Sequence, residues 1–209
     1  MTPQQLDEVR IFREQAYPEI DRWCEAVINR FGTGCKEGCS ACCDNVLTVS
    51  LVETVVMLRN PIGQAVFQAA ENHISELADL FLKRLPETRL KPWRERRKHC
   101  VFLSADNRCL VYEDRPFNCR THIAVEPCDP LKDGNLYART DEINQASMEV
   151  LAAAEKYTQI PMAMAPLPVA LIIADAYLRK GKEVTEKAWG NTPFLDVMKS
   201  CLYWAYIEL

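Results

Sequence analysis

Ten cysteines are the most unusual chemical feature of this sequence, and eight of them fall into two groups. The first group is Cys35, Cys39, Cys42 and Cys43, and the second is Cys100, Cys109, Cys119 and Cys128. Thiolates are soft anionic ligands, which suit zinc or an iron–sulfur cluster rather than magnesium or calcium. The two groups therefore predict a metal centre whose ligands come from two distant segments.

A disulfide framework is the other common use of so many cysteines. With 209 residues, 48% of them hydrophobic, the chain is long enough to form a core without crosslinks, and it opens without a visible secretory signal. We therefore expect a cytoplasmic protein whose thiols stay reduced. The composition excludes disordered, collagen-like and coiled-coil chains, and the longest apolar stretch, residues 167–174, is too short to span a bilayer.

The spacing of the first group is C-x3-C-x2-C-C. It matches neither the paired cysteines of a zinc ribbon nor the run found in bacterial ferredoxins. Because adjacent side chains diverge, we expect Cys42 and Cys43 to serve different metal ions, or one to bind and the other to support it. Eight thiols allow two four-thiolate sites, or one complete site and a partial one.

The segment CKEGCSACC, followed by CVFLSADNRCLVYEDRPFNCR, resembles the CxxCxxCC cysteine-cluster family, also called the YkgJ family. Its members are described as candidate zinc- or iron-chelating proteins, and the resemblance covers about residues 35–128. Here three residues, rather than the family's two, separate the first two cysteines. The resemblance implies zinc or an iron–sulfur cluster such as [4Fe–4S], and it implies as metal ligands Cys35, Cys39, Cys42, Cys43, Cys100, Cys109 and Cys119. Cys128 is added from spacing alone.

Two arginines, Arg115 and Arg120, lie on either side of Cys119. Four thiolates around Zn²⁺ or a [4Fe–4S]²⁺ core leave a net charge of about −2, so both arginines are predicted to stabilise the bound cofactor. The alternative is a salt bridge from Asp114 that only orders the loop. His99 and His122 lie close to cysteines in the sequence and are further candidate ligands.

Helical periodicity dominates the rest of the chain. Apolar residues recur at steps of three and four over five stretches, which are residues 4–31, 62–85, 141–157, 167–179 and 193–207. Ser50 and Glu53 form a capping box for a short helix over residues 51–57. Gly32 and Gly34 are predicted to end the first helix, and Cys24 is predicted to be a small buried residue on its apolar face.

The second cysteine group lies in a less regular part of the sequence. Residues 100–112 predict a small hairpin with a polar turn at 105–107, and residues 113–135 predict an irregular loop. No alternation of strands and helices is present. We therefore expect one mainly α domain over residues 1–209, with a metal-binding core at about 35–128 between an N-terminal helix, 4–31, and C-terminal helices within 141–207.

Residues 83–99 carry eight lysines or arginines against two glutamates. This basic run is either a solvated linker or a dock for an acidic protein partner or another anion. The acidic balance of the whole chain, a net charge of −4, and the lack of a base-reading motif argue against nucleic-acid binding.

These features predict a protein that binds zinc or an iron–sulfur cluster in a structural, electron-transfer or metal-handling role. The alternative is an iron–sulfur-dependent enzyme that modifies a protein or peptide, similar to flagellin lysine methylase. The C-x3-C-x2-C spacing also resembles radical S-adenosylmethionine enzymes, but their β/α barrel pattern is missing. No nucleophile with a matching base is recognisable, so the sequence does not decide whether the protein is an enzyme.

Overall fold

A computed structural model describes residues 1–36, 38–44, 47–82, 100–128, 141–160 and 164–180. Within these ranges the chain forms six α-helices and one two-stranded antiparallel sheet, which confirms the mainly α fold class. The helices are α1 (Pro3–Phe31), α2 (Leu51–Arg59), α3 (Pro61–Leu82), α4 (Phe117–Arg120), α5 (Asp141–Thr158) and α6 (Leu167–Lys180). The strands are β1 (Thr48–Ser50) and β2 (Met164–Pro166).

Helix α1 confirms the first predicted helix. It begins at a capping box in which the Thr2 side chain accepts from the Gln5 amide, and it buries the apolar stripe that includes Ile20 and Cys24. Cys24 is 7% exposed, as expected of a small core residue. Gly32, at φ 76°, ends the helix. Gly34 does not take part in that cap, because its backbone is outside the left-handed region and its contacts are with a distant loop.

Helix α2 lies at the centre of the core. Ser50 caps it and Glu53 completes the predicted capping box. All eight residues from 51 to 58 are buried, because the helix is surrounded by α1, α3, α5 and α6. Helices α5 and α6 confirm the predicted elements at 141–157 and 167–179.

The small sheet was not predicted. Strand β1 pairs with β2 in the register Thr48↔Pro166, Val49↔Ala165 and Ser50↔Met164. Each strand has only three residues and its partner lies far along the chain, so neither local alternation nor a hairpin turn signals the pairing. The predicted hairpin at 100–112 is reduced to one bridge, Leu103↔Cys109, closed by a turn in which Asn107 has φ 58°.

The predicted irregular loop at 113–135 is wrong in its first part. A 3-10 turn, Tyr112–Asp114, and the four-residue helix α4 occupy it. Residues 129–135 lie outside the described residues, as do the basic run 83–99, the end of the predicted helix 62–85 and the predicted helix 193–207. Among the helices that are described, none has both the length and the apolar character needed to cross a membrane.

Candidate metal centre

The two cysteine groups meet at one cavity of about 930 Å³. The nine cysteines that the structure describes are all free thiols. Eight of them line the cavity, namely Cys24, Cys35, Cys39, Cys42, Cys43, Cys100, Cys109 and Cys119. Cys128 lies outside its wall. The segments 35–43 and 100–119 are therefore brought together, as the sequence predicts.

One backbone hydrogen bond and one side-chain hydrogen bond hold the two segments against each other. The amide of Cys100 donates to the carbonyl of Cys43 at 2.9 Å, and the Ser40 hydroxyl lies 3.4 Å from the Asn107 side-chain oxygen. Cys42 and Cys43 occupy a 3-10 turn, Ala41–Asp44, which begins where the Cys43 amide donates to the Ser40 carbonyl. The adjacent cysteines are thus fixed in one compact turn rather than in extended chain.

The short hairpin directs backbone donors onto two sulfurs. The Phe102 amide hydrogen-bonds to the Cys100 thiol, and the Val111 amide bonds to the Cys109 thiol. Burial raises the pKa of Cys100 to about 12 and also raises the pKa of Cys109, while these amides act in the opposite direction. A donor that favours the thiolate favours the form that binds metal.

Helix α4 places Cys119 at the same cavity. The Phe117 amide, at the start of the helix, donates to the buried Glu53 carboxylate at 2.5 Å. The Phe117 ring packs against Tyr17 of α1, with ring centroids 5.5 Å apart. Burial raises the pKa of Cys119 well above its usual range, and the charges of Cys100 and Cys42 raise it further.

Five thiols form what we call the inner group, and they are Cys42, Cys43, Cys100, Cys109 and Cys119. The pKa of Cys43 is raised chiefly by its hydrogen bond to Cys42, then by burial and by the charges of neighbouring thiols. Cys42 also raises the pKa of Cys100, Cys109 and Cys119. Ionising several of these thiols together is unfavourable unless a cation neutralises them, so the donor set fits a thiophilic metal.

Three further cysteines form the outer group, which is Cys35, Cys39 and Cys128. Cys35 is exposed and the other two are partly exposed. The pKa of Cys128 is raised by burial and by the charges of Cys35, Cys39 and Cys42. Across the described part of the chain, no three His, Cys, Asp or Glu side chains are already arranged so that they could hold a metal ion. Metal binding therefore requires side-chain rotation in either group.

The two predicted cofactor-binding arginines have different surroundings. Arg115 lies in the cavity wall with its guanidinium 3.9 Å from the Tyr112 ring centroid. Its buried Nε has no hydrogen-bond partner among the residues that the structure describes, and its charge opposes the rise in the Cys109 pKa. Arg120 donates to both Asp21 oxygens at 2.7 and 2.6 Å and to the Arg115 carbonyl at 2.9 Å. Arg120 therefore orders the loop, although its charge also reaches Cys109.

Asp114 forms a salt bridge with an arginine of helix α1. Asp114 accepts from Arg13 of α1 and from the Asn60 side chain at 2.7 Å, so it ties the loop to two helices. His122 lies in the cavity wall, and His99 falls outside the described residues.

Sequence reasoning assigned Glu53 only to a helix cap. Its second role, as the acceptor for the Phe117 amide, depends on a contact between segments that are distant in sequence and that no local signal reports.

A model of the CxxCxxCC family, described as "Putative zinc- or iron-chelating domain", matches residues 34–147. The match spans both cysteine groups and more than half of the chain. No curated protein and no solved structure shows significant similarity to the chain.

Proposed function

The chain belongs to the CxxCxxCC family, and on that premise we propose that its inner group holds zinc or an iron–sulfur cluster in a structural, electron-transfer or metal-handling role. One observation carries this proposal. Five thiols from two segments surround the same cavity, and their pKa values are raised where the causes are resolved. Binding a cation removes the repulsion between these thiolates.

Four of the inner thiols are the ligands we favour, and they are Cys42, Cys100, Cys109 and Cys119. Cys42 is the electrostatic neighbour of the other three. Cys43 hydrogen-bonds to Cys42 and supports it. The Phe102 and Val111 amides stabilise the Cys100 and Cys109 thiolates, and Arg115 supplies positive charge beside Cys109.

The bound group would supply different chemistry in the two cases. Zinc would crosslink the two segments, whereas an iron–sulfur cluster would also carry electrons. The cavity, at about 930 Å³, has room for either. The colour and elemental content of protein purified without oxygen distinguish the two cofactors. An iron–sulfur protein is brown and contains iron, whereas a zinc protein is colourless and contains zinc.

Replacing Cys42 or Cys119 by serine tests the inner group. Each variant should lose most of the tightly held metal and several kcal/mol of stability, on the order of 3 kcal/mol, because a structural metal contributes folding free energy directly. Elemental analysis and urea denaturation measure both effects. Cys24→Ser is the matched control, because Cys24 donates its S–H to the Arg120 carbonyl at 3.5 Å and is not assigned as a ligand. Unchanged metal content in Cys42→Ser and Cys119→Ser would contradict the proposal.

A second candidate function, an iron–sulfur-dependent enzyme acting on a protein or peptide, is favoured by the size of the cavity beside the thiols. Such an enzyme needs space for a substrate next to the cluster. If the protein carries a cluster and uses S-adenosylmethionine for methyl transfer, adding that compound should change the electron paramagnetic resonance spectrum of the reduced cluster. An unchanged spectrum would count against this candidate.

A further inference from the structure

We propose that the cavity beside the inner group binds a small organic carboxylate. The carboxylate group pairs with Arg115, and the apolar part of the ligand lies along the cavity wall. The inference rests on the proposed function for the placement of this ligand beside a metal centre, whereas the binding of the ligand itself is tested separately.

The backbone of Arg115 is held on both sides. Its amide donates to the Tyr112 carbonyl at 3.4 Å, and its carbonyl accepts from the Arg120 Nε at 2.9 Å. The guanidinium carbon lies 3.9 Å from the Tyr112 ring centroid, which is a cation–π contact. The cation is therefore positioned before a ligand arrives, and little side-chain freedom remains to be lost on binding.

Arg115 lacks an acceptor, unlike two nearby arginines. Arg13 donates to Asp114, and Arg120 donates to both oxygens of Asp21. Arg115 lines the cavity, and its buried Nε has no hydrogen-bond partner among the residues that the structure describes. A buried donor without an acceptor is unfavourable, so a ligand that supplies the acceptor gains affinity from this site.

The guanidinium and its surroundings favour a carboxylate over a phosphate. The planar N–H groups of a guanidinium match the two oxygens of one carboxylate. Among the described residues, the cavity wall carries four cationic side chains against three carboxylates, and Arg120 is already paired with Asp21. This near balance of charge suits a singly charged ligand better than a phosphate dianion, which the wall carboxylates repel more strongly.

The remainder of the cavity suits an apolar chain. Its volume of about 930 Å³ is within the range of small-molecule sites. Half-buried apolar side chains line it, and they are Ile28, Leu47, Val101, Leu103 and Leu167. A ligand that covers these side chains removes apolar surface from water, whereas acetate is too short to do so. The site therefore fits a carboxylate that carries a hydrocarbon chain.

The test is calorimetric titration of the reduced full chain, purified without oxygen, with octanoate, acetate and inorganic phosphate. Octanoate should bind at least about tenfold more tightly than acetate or phosphate. Arg115→Gln should weaken octanoate binding by about 10- to 100-fold, because a charge-assisted pair is lost. Arg30→Gln is the matched control and should bind octanoate normally. Arg30 also contacts an aromatic ring, that of Phe31 at 4.9 Å, but it lies outside the cavity wall.

A second variant, Arg115→Lys, keeps the positive charge but not the planar pair of donors. It should bind octanoate several-fold more weakly than the unmodified protein, and it serves as the test if Arg115→Gln does not fold. Equal octanoate affinity in the unmodified protein and the Arg115 variants would overturn the inference. It is also overturned if octanoate does not bind, or if phosphate binds as tightly as octanoate.

Elemental analysis of the same samples distinguishes this inference from the proposed function. Protein that holds iron or zinc but does not bind octanoate refutes only the carboxylate site. Protein that binds octanoate through Arg115 but holds neither metal refutes the metal proposal and supports the carboxylate site.

Discussion

At the scale of the residue, Glu53 connects a helix cap to the candidate metal centre. Its carboxylate is 1% exposed and accepts from the Ser50 amide at 2.9 Å, the Ser50 hydroxyl at 2.6 Å and the Phe117 amide at 2.5 Å. Burial raises the pKa of Glu53, and these donors oppose that rise. A single side chain thereby fixes the start of α2 and the start of α4, which carries Cys119.

We predict that Glu53→Gln lowers the free energy of unfolding by about 1 to 3 kcal/mol. The amide keeps one acceptor oxygen but turns an NH₂ group towards donors that now contact a carboxylate oxygen. Urea denaturation of the metal-stripped protein measures the loss without the contribution of bound metal. Glu155→Gln, at an exposed position on α5, should change stability by less than about 0.5 kcal/mol. Equal stability of the two variants would show that the buried contacts contribute nothing.

At the scale of the element, the elements with local signals are the ones that the sequence predicts. Helices α1, α5 and α6 follow from apolar periodicity, and α2 follows from its capping box. Strands β1 and β2 and helix α4 are too short to carry a period, and contacts across the chain stabilise them. The hairpin at 100–112 is predicted in part. Its polar turn can be identified in the sequence, but the structure forms only one bridge there.

The sequence likewise predicts some features of the candidate site and not others. Residue type and spacing identify the two cysteine groups, and the segments do converge on one cavity. The sequence does not predict the division into inner and outer groups. That division depends on the hydrogen bond from the Ala124 amide to the Cys35 sulfur and on the turn that carries Cys42 and Cys43. The sequence gives Arg115 and Arg120 the same predicted role, because both lie close to Cys119. In the structure, Arg120 hydrogen-bonds to Asp21.

The contact between residues 33–35 and 124–127 gives a prediction at this scale. In this contact the Gly34 amide and the Thr33 hydroxyl donate to the Ala124 carbonyl at 2.8 and 3.0 Å. Gly34→Ala should lower the free energy of unfolding by about 2 to 4 kcal/mol, because a Cβ atom at this position would lie 2.0 Å from the Glu126 carbonyl carbon and force two backbone segments apart. Gly38→Ala is the matched control. Gly38 has open space around its Cβ position, so it should cost only about 1 kcal/mol for the left-handed backbone. Urea denaturation measures both losses, and equal losses would argue against the close approach.

At the scale of the whole molecule, six thiols have raised pKa values, and they are Cys24, Cys43, Cys100, Cys109, Cys119 and Cys128. Burial is the first cause for all except Cys43. Each of these thiols therefore stays protonated in the folded protein at a pH where it would ionise in the unfolded chain. The fold without metal favours neutral sulfur, whereas the fold with metal requires thiolate.

Metal should consequently invert the pH dependence of stability. Without metal, stability is fully present below the ordinary thiol pKa of about 9 and falls as the pH rises from there, because unfolding releases protons. With metal bound, the ligand thiols are deprotonated in the folded state, so unfolding takes up protons and stability rises with pH through the neutral range. The test is to measure the urea midpoint of unfolding across pH, with and without metal. If the midpoint changes with pH in the same direction in both series, the predicted inversion is refuted.

The contribution of Cys24 to the pH dependence of stability can be measured separately. Burial raises its pKa to about 11, and it lies outside both thiol groups. In the metal-stripped protein, Cys24→Ser should reduce the loss of stability between about pH 8 and about pH 10.5 by roughly 1 to 2 kcal/mol.

The hydrogen bond between the Cys43 carbonyl and the Cys100 amide joins two segments that are synthesised at different times. Ribosomes add about 5 to 20 residues per second, so the first cysteine group emerges several seconds before the second. Throughout that interval the first cysteine group has no partner segment to pack against. The wall of the cavity is complete only after translation has passed Cys119.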